Sequence, residues 1–271
     1  MIINRNNVFE VISKANLKPE KDYGQNYLLD EKICEKIVSL ADIKSGEKVL
    51  EIGPGLGSLT HFIVGAKDTT TTLVDIDQRM IDFLKVVYQT NDVKFVCSDI
   101  RKHDVSGYNV IIGNLPYNIT TELVEFLLLN ASKARRLVLM CQSEAAERFI
   151  STSGKEYGPT SILIHLYGVI KKQFVVRPGS FYPAPKCSST VFTIDLDKNE
   201  KSCSELSVCG LIKKIFINRR KTIFNNLTRV VGDKDKAMKM LEELNIPLNK
   251  RPEELSPDTY LKIYEKYSTL N

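Results

Sequence analysis

From residue 45 to residue 197, short apolar runs rich in β-branched residues alternate with longer stretches in which apolar residues recur three and four positions apart. The runs are KVLEIG (48–53), TTLVDI (71–76), VKFVC (93–97), NVIIG (109–113) and RRLVLMC (135–141), and the longer stretches include 78–90 and 119–130. Such runs read as strands buried on both faces, and strands joined by crossover helices predict a mostly parallel α/β sheet. Two later runs, 168–176 and 188–196, have only the Pro-rich segment RPGSFYPAPK between them, which predicts an antiparallel hairpin at the end of the sheet. Beyond it the pattern becomes helical at 206–218, 220–230, 234–244 and 257–267, punctuated by Pro247, Pro252 and Pro257. The polar run Asp197-Lys198-Asn199-Glu200-Lys201-Ser202 reads as a linker. The chain therefore divides into a sheet domain, 1–197, and a small all-α domain, 198–271.

Composition changes this picture in one respect. At 271 residues, 43% hydrophobic and 26% charged, with no repeat or biased tract, the chain falls outside the disordered, collagenous and solenoid classes. Its net charge of +5 is unevenly spread: residues 1–197 hold 23 basic and 23 acidic side chains, and the last 74 hold 15 and 10. The excess clusters at Lys213, Lys214, Arg219, Arg220 and Lys221, which points to a polyanion partner. A solvated helix face is the plainer alternative. The six cysteines form no CxxC pair and His61, His103 and His165 lack ligand spacing, so reduced thiols and no metal are expected. The N-terminus lacks a signal-peptide core and no apolar run approaches the ~20 residues that cross a bilayer. A cytoplasmic protein without membrane contact is expected.

The first strand runs into Glu51-Ile52-Gly53-Pro54-Gly55-Leu56-Gly57-Ser58, a Gly-rich turn of the kind that lets backbone pass close under a ligand. A dinucleotide fingerprint needs glycine where Ser58 stands, which weakens a nicotinamide reading. Asp75 ends the second strand about where a carboxylate would accept from two ribose hydroxyls; Asp77 could serve instead, or cap the next helix. Asp99 follows the third strand and could accept from an adenine amine or cap a helix.

Gly113-Asn114-Leu115-Pro116-Tyr117, at the end of the fourth strand, resembles the motif of adenine N6-methyltransferases, an Asn or Asp, one residue, then Pro and an aromatic. Further matches are Gly24-Gln25-Asn26-Tyr27-Leu28, Gln142-Ser143-Glu144-Ala145-Ala146-Glu147-Arg148, Phe181-Tyr182-Pro183-Ala184-Pro185-Lys186 and Phe216-Ile217-Asn218-Arg219-Arg220-Lys221. Together they make the chain similar to the ribosomal RNA adenine dimethyltransferases over about 24–227. The resemblance implies a Rossmann-like class I sheet dependent on S-adenosyl-L-methionine, with an all-α C-terminal domain. It implies cofactor binding through Asn26, Leu28, Gly53, Asp75, Asp99 and Asn114, a target adenine held by Asn114, Leu115, Tyr117 and Phe181 with Pro116 as a further catalytic position, and RNA contact by the basic cluster. The implied substrate is a pair of adjacent adenosines in the last hairpin of 16S RNA in the small ribosomal subunit precursor, met by a monomer. Asp75 stands where Glu is usual, Ser143 where Lys is common and Cys187 where Val is usual. The alternatives on the same fold are a large-subunit methyltransferase of the macrolide-resistance type, or an assembly or transcription factor.

Two expectations follow for the chemistry. The amine lone pair of adenine is delocalised into its ring, so the Asn114 side-chain oxygen and the Leu115 carbonyl would accept its two protons and localise that pair. Pro116 fixes the turn, while Tyr117 and Phe181 would sandwich the base.

Overall fold

The computed structural model describes residues 3–17, 19, 25–64, 66, 68–196 and 205–269. Gly24, Cys203 and the linker read at 197–202 lie outside the described residues. The five predicted strands appear as β2 (Lys48–Ile52), β3 (Thr70–Asp75), β4 (Val93–Cys97), β5 (Val110–Asn114) and β6 (Arg136–Gln142), all parallel to one another. Two further strands, β7 (Gly168–Val176) and β9 (Ser189–Leu196), extend the sheet to the order β4-β3-β2-β5-β6-β9-β7. The later of these, β9, lies antiparallel against β6, and β7 takes the edge. The expected hairpin thus joins the sheet through its second strand. Its connection also carries a two-residue strand, β8 (Phe181–Tyr182), which pairs antiparallel with β1 (Tyr27–Leu28) in a separate ladder.

Helices α4 (Gln78–Val87) and α5 (Thr120–Asn130) match the periodic stretches between strands. The Gly-rich turn opens the short α3 (Thr60–Ile63), whereas α1 (Val8–Ala15), α2 (Glu31–Ser39), α6 (Ser143–Ile150) and α7 (Pro159–Tyr167) have no counterpart in the periodicity. Asp30 caps α2 by accepting from Ile33 N at 3.2 Å, and Asp77 caps α4, each such cap contributing about 1 kcal/mol. One core lies on the α2 side, where Cys34, Ile37 and Val38 meet Val49, Val110, Ile112, Val138 and Met140. A second joins Val8 and Val11 of α1 to Tyr27, Leu56 and Met80.

The C-terminal helices are α8 (Glu205–Phe216), α9 (Ile223–Val231), α10 (Lys234–Glu243) and α11 (Pro257–Ser268), as the periodicity predicts. Two compact units result: residues 1–146 with 169–197, and residues 147–168 with 198–271. A single boundary after Asp197 therefore misses one stretch. Residues 147–168 belong with the helical unit because α7, apolar and buried along nearly its whole length, packs on α8 and α11. Within that unit Tyr157 and Tyr260 are fully buried, and the Tyr260 hydroxyl donates to the Pro252 carbonyl at 2.6 Å.

Candidate active site

The strand order turns back at β2, whose neighbours β3 and β5 lead to opposite wings, and open α/β sheets bind ligands outside the strand ends at such a point. A crevice with about 840 Å³ of empty space lies there, lined by Gly53, Gly55, Asp75, Asp99, Asn114 and Tyr117 among others. The turn after β2 has positive φ at Gly53, Gly55 and Gly57, at +62°, +53° and +86°. A Cβ on Gly55 would stand 3.1 Å from the Tyr27 ring, and one on Gly57 2.8 Å from Leu84 Cδ2. At Gly53 a Cβ would meet the Asn114 carbonyl at 3.8 Å, so the bare backbone leaves open floor there.

Asp75 ends β3, 8% exposed. Its carboxylate accepts from Gly55 N at 3.2 Å and Asp77 N at 2.9 Å. Burial pushes its pKa up to about 6, opposed by those backbone bonds. Asp77 is occupied differently: it caps α4, takes a bidentate grip from Arg79 and accepts from Gln25 Nε2 at 3.0 Å. Its carboxylate is thus largely saturated, which favours Asp75 for a ribose. Asp99 caps the short turn Ile100–Lys102 and also lines the crevice. The Arg101 guanidinium holds its carboxyl below the usual range, and the same guanidinium reaches Glu122 at 2.9 Å. The cap expected as one alternative for Asp99 is thus present, with its carboxylate gripped by Arg101 as that of Asp77 is by Arg79.

Asn114 closes β5. Its Nδ2 donates to the Asn26 carbonyl at 3.2 Å, while its Oδ1 is buried with no hydrogen-bond partner. A buried acceptor left so costs roughly 1–3 kcal/mol, which marks it as reserved for a donor. Leu115 N donates to the Met140 carbonyl at 2.9 Å, and the Pro116 carbonyl accepts from the Thr120 hydroxyl at 2.9 Å. These bonds tie the turn to β6 and to the head of α5. The Tyr117 hydroxyl meets Ser189 Oγ at 3.0 Å, and burial raises its pKa.

Two expected residues stand elsewhere. Leu28 and Phe181 face each other across the β1–β8 ladder and sit in the core with Val176 and Val191, so neither lines the crevice. The Phe181 ring, 4% exposed, packs in that core rather than in the crevice wall. Asn26 lies in the wall, joined to Asn114 through its carbonyl.

In the helical unit, Lys213, Lys214, Arg220 and Lys221 are exposed. Arg219 is not presented in the same way: 33% exposed, it donates to the Gly154 carbonyl and pairs with Glu253. The turn that carries the cluster is built by Asn226, 1% exposed, whose Nδ2 donates to the carbonyls of Asn218, Lys221 and Thr222.

Sequence reasoning gave no role to Glu51, Ser189 or Asn226. Glu51 is 1% exposed, accepts from the Thr60 hydroxyl at 2.6 Å and is pushed up to about 8 by burial. Its signal was present, as an acid inside an otherwise apolar strand run. Among the described residues no three His, Cys, Asp or Glu side chains group as metal ligands, and no helix is long and apolar enough to cross a membrane.

The family model for ribosomal RNA adenine dimethylase matches residues 16–269. A ribosomal RNA small subunit methyltransferase A from Pelagibacter ubique is 36% identical, over 94% of this chain and 98% of its own length. The enzyme of that name from Mycoplasma capricolum is 33% identical, over 92% and 97%. In three dimensions a dimethyladenosine transferase from Plasmodium falciparum superposes with a TM-score of 0.79 at 26% identity, over 90% of this chain and 98% of that one.

Proposed function

The chain belongs to the ribosomal RNA adenine dimethylase family, and from that premise we propose that it dimethylates the N6 amines of two adjacent adenosines in the 3'-terminal hairpin loop of small-subunit ribosomal RNA, using S-adenosyl-L-methionine. The observation that carries the reading is the buried, unpartnered Asn114 Oδ1 at the crevice wall.

The crevice fits the cofactor. Open floor at Gly53 and the carboxylate of Asp75, which has acceptor capacity beyond its two backbone bonds, suit a ribose, and the acidic lining suits a cationic sulfonium, while Asp99 stands in the wall with its carboxylate gripped by Arg101. When bound, S-adenosyl-L-methionine supplies a methyl group already activated by its positive sulfur. The chain's own task is therefore alignment. Asn114 Oδ1 and the Leu115 carbonyl accept the two amine protons, turning the lone pair toward the methyl donor. Asn114 does not ionise, so the proton released after transfer leaves to water. The Tyr117 ring stacks on the base, and its face favours the positive charge that develops there, a contact worth ~1–3 kcal/mol. Preorganised geometry of this kind can lower a barrier by ~7–11 kcal/mol. The target base must be unstacked to reach the site. Lys214, Arg220 and Lys221 supply phosphate contacts in this reading, and the chain acts as a monomer in the cytoplasm.

The test is incubation with methyl-labelled S-adenosyl-L-methionine and undermethylated small subunits, followed by mapping of the modified nucleotides. Label confined to the N6 positions of two adjacent adenosines near the 3' end is expected. Label in large-subunit RNA, or none, overturns the proposal.

A further inference from the structure

We infer that Ser189 is a positioning residue for the target base, acting through the hydroxyl of Tyr117; the inference rests on the functional reading above and goes beyond it. The Asn114-Leu115-Pro116-Tyr117 turn is fastened to one strand pair at two points. Leu115 N donates to the Met140 carbonyl of β6 at 2.9 Å, and the Tyr117 hydroxyl meets Ser189 Oγ of β9 at 3.0 Å. Ser189 is the first residue of β9, in register with Gln142 at the end of β6, and is fully buried. A serine inside a sheet core is placed there for its hydrogen bond, because an unpaired hydroxyl would be costly to bury.

The anchor acts at the far end of the ring. A tyrosine held only at Cα can swing about two side-chain torsions, and a second attachment at the hydroxyl removes that freedom before the base arrives. This matters here because Tyr117 and Tyr27 are, among the described residues, the aromatic rings that line the crevice wall. Tyr27 is committed beneath the Gly turn: its ring lies against Gly55 and its hydroxyl donates to Gln25 Oε1 at 2.9 Å. Tyr117 is then the ring beside Asn114 that can meet the base, and its orientation decides whether the amine faces Asn114 Oδ1. The anchored hydroxyl also accounts for a tyrosine at this position, where a phenylalanine would stack equally well.

The test is a double-mutant cycle in the full chain, read as kcat/KM on undermethylated small subunits and, separately, as affinity for S-adenosylhomocysteine. Ser189→Ala and Tyr117→Phe should each lower kcat/KM by about three- to tenfold, the cost of ordering one side chain at the moment of binding. The double variant should be no worse than either single one, because both remove the same contact. Affinity for S-adenosylhomocysteine should be unchanged. Full activity in Ser189→Ala, or losses that multiply in the double variant, would overturn the inference. If Ser189→Ala does not fold, Tyr117→Phe decides alone: full activity there overturns it equally. Asn114→Ala run beside them separates the two levels, since its inactivity upholds the functional reading whatever Ser189 does, and its full activity removes that reading first.

Discussion

Asn114 holds a buried acceptor without a donor, and the structure around it is built to keep it so. Its amide nitrogen is fixed on the Asn26 carbonyl, which leaves Oδ1 as the unpaired atom of a residue that lines the crevice. Asn114→Ala should therefore abolish methyl transfer to small subunits, with affinity for S-adenosylhomocysteine reduced yet measurable by titration. Asp75 makes a pH prediction. A carboxylate must be ionised to accept from two hydroxyls, and this one titrates at about 6. Cofactor affinity should fall as pH drops below that value, by up to about tenfold per unit for a single proton, and Asp75→Asn should remove the step. Glu51 acts on stability instead. Its carboxyl ionises near 4.5 when unfolded but only at about 8 when folded, so the folded state binds the extra proton between those values. The stability this group contributes is complete below 4.5 and is lost as pH rises through 8. Glu51→Gln keeps an acceptor for Thr60, and its denaturant midpoints should decline less over that window.

Among the elements, the Gly turn shows how local sequence and packing combine. Positive φ was legible from the glycines, but the reason each is irreplaceable is tertiary: Tyr27 under Gly55, and Leu84 against Gly57. Gly57→Ala adds a Cβ 2.8 Å from a buried Leu84 methyl in a strained backbone conformation, and should destabilise the chain by about 1–3 kcal/mol, measurable as a lower Tm. The parallel strands and the four C-terminal helices were readable because each carries its own periodicity. The β1–β8 ladder was not, since two residues have no period and the partners lie far apart in the chain. That ladder is what takes Phe181 into the core, which no reading of its motif could show.

At the scale of the whole molecule, the excess positive charge falls on the helical unit, yet its five clustered cations are not equivalent. Arg220 and Lys221 are exposed on the turn that Asn226 holds, while Arg219 is bonded to Gly154 and Glu253. Reversing Arg220 and Lys221 to Glu should weaken RNA binding and flatten its dependence on log salt by about one unit per lost phosphate contact, with Tm unchanged. Arg219→Glu should lower Tm, because it sets two carboxylates against each other at Glu253. An unchanged salt slope in the first variant would return the cluster to a solvated face. The sequence by itself determined the strand succession, the glycine turn, the acids at the strand ends and the Asn-Leu-Pro-Tyr motif, because buried strands, positive φ and strand-end chemistry leave their marks on neighbouring residues. Only the tertiary structure decided that Asp77 is saturated by Arg79 and Gln25, that Phe181 is core, that residues 147–168 join the helical unit and that Ser189 reaches Tyr117. Each of those depends on a partner distant in sequence, and a hydrogen bond or a packed ring is a property of the pair.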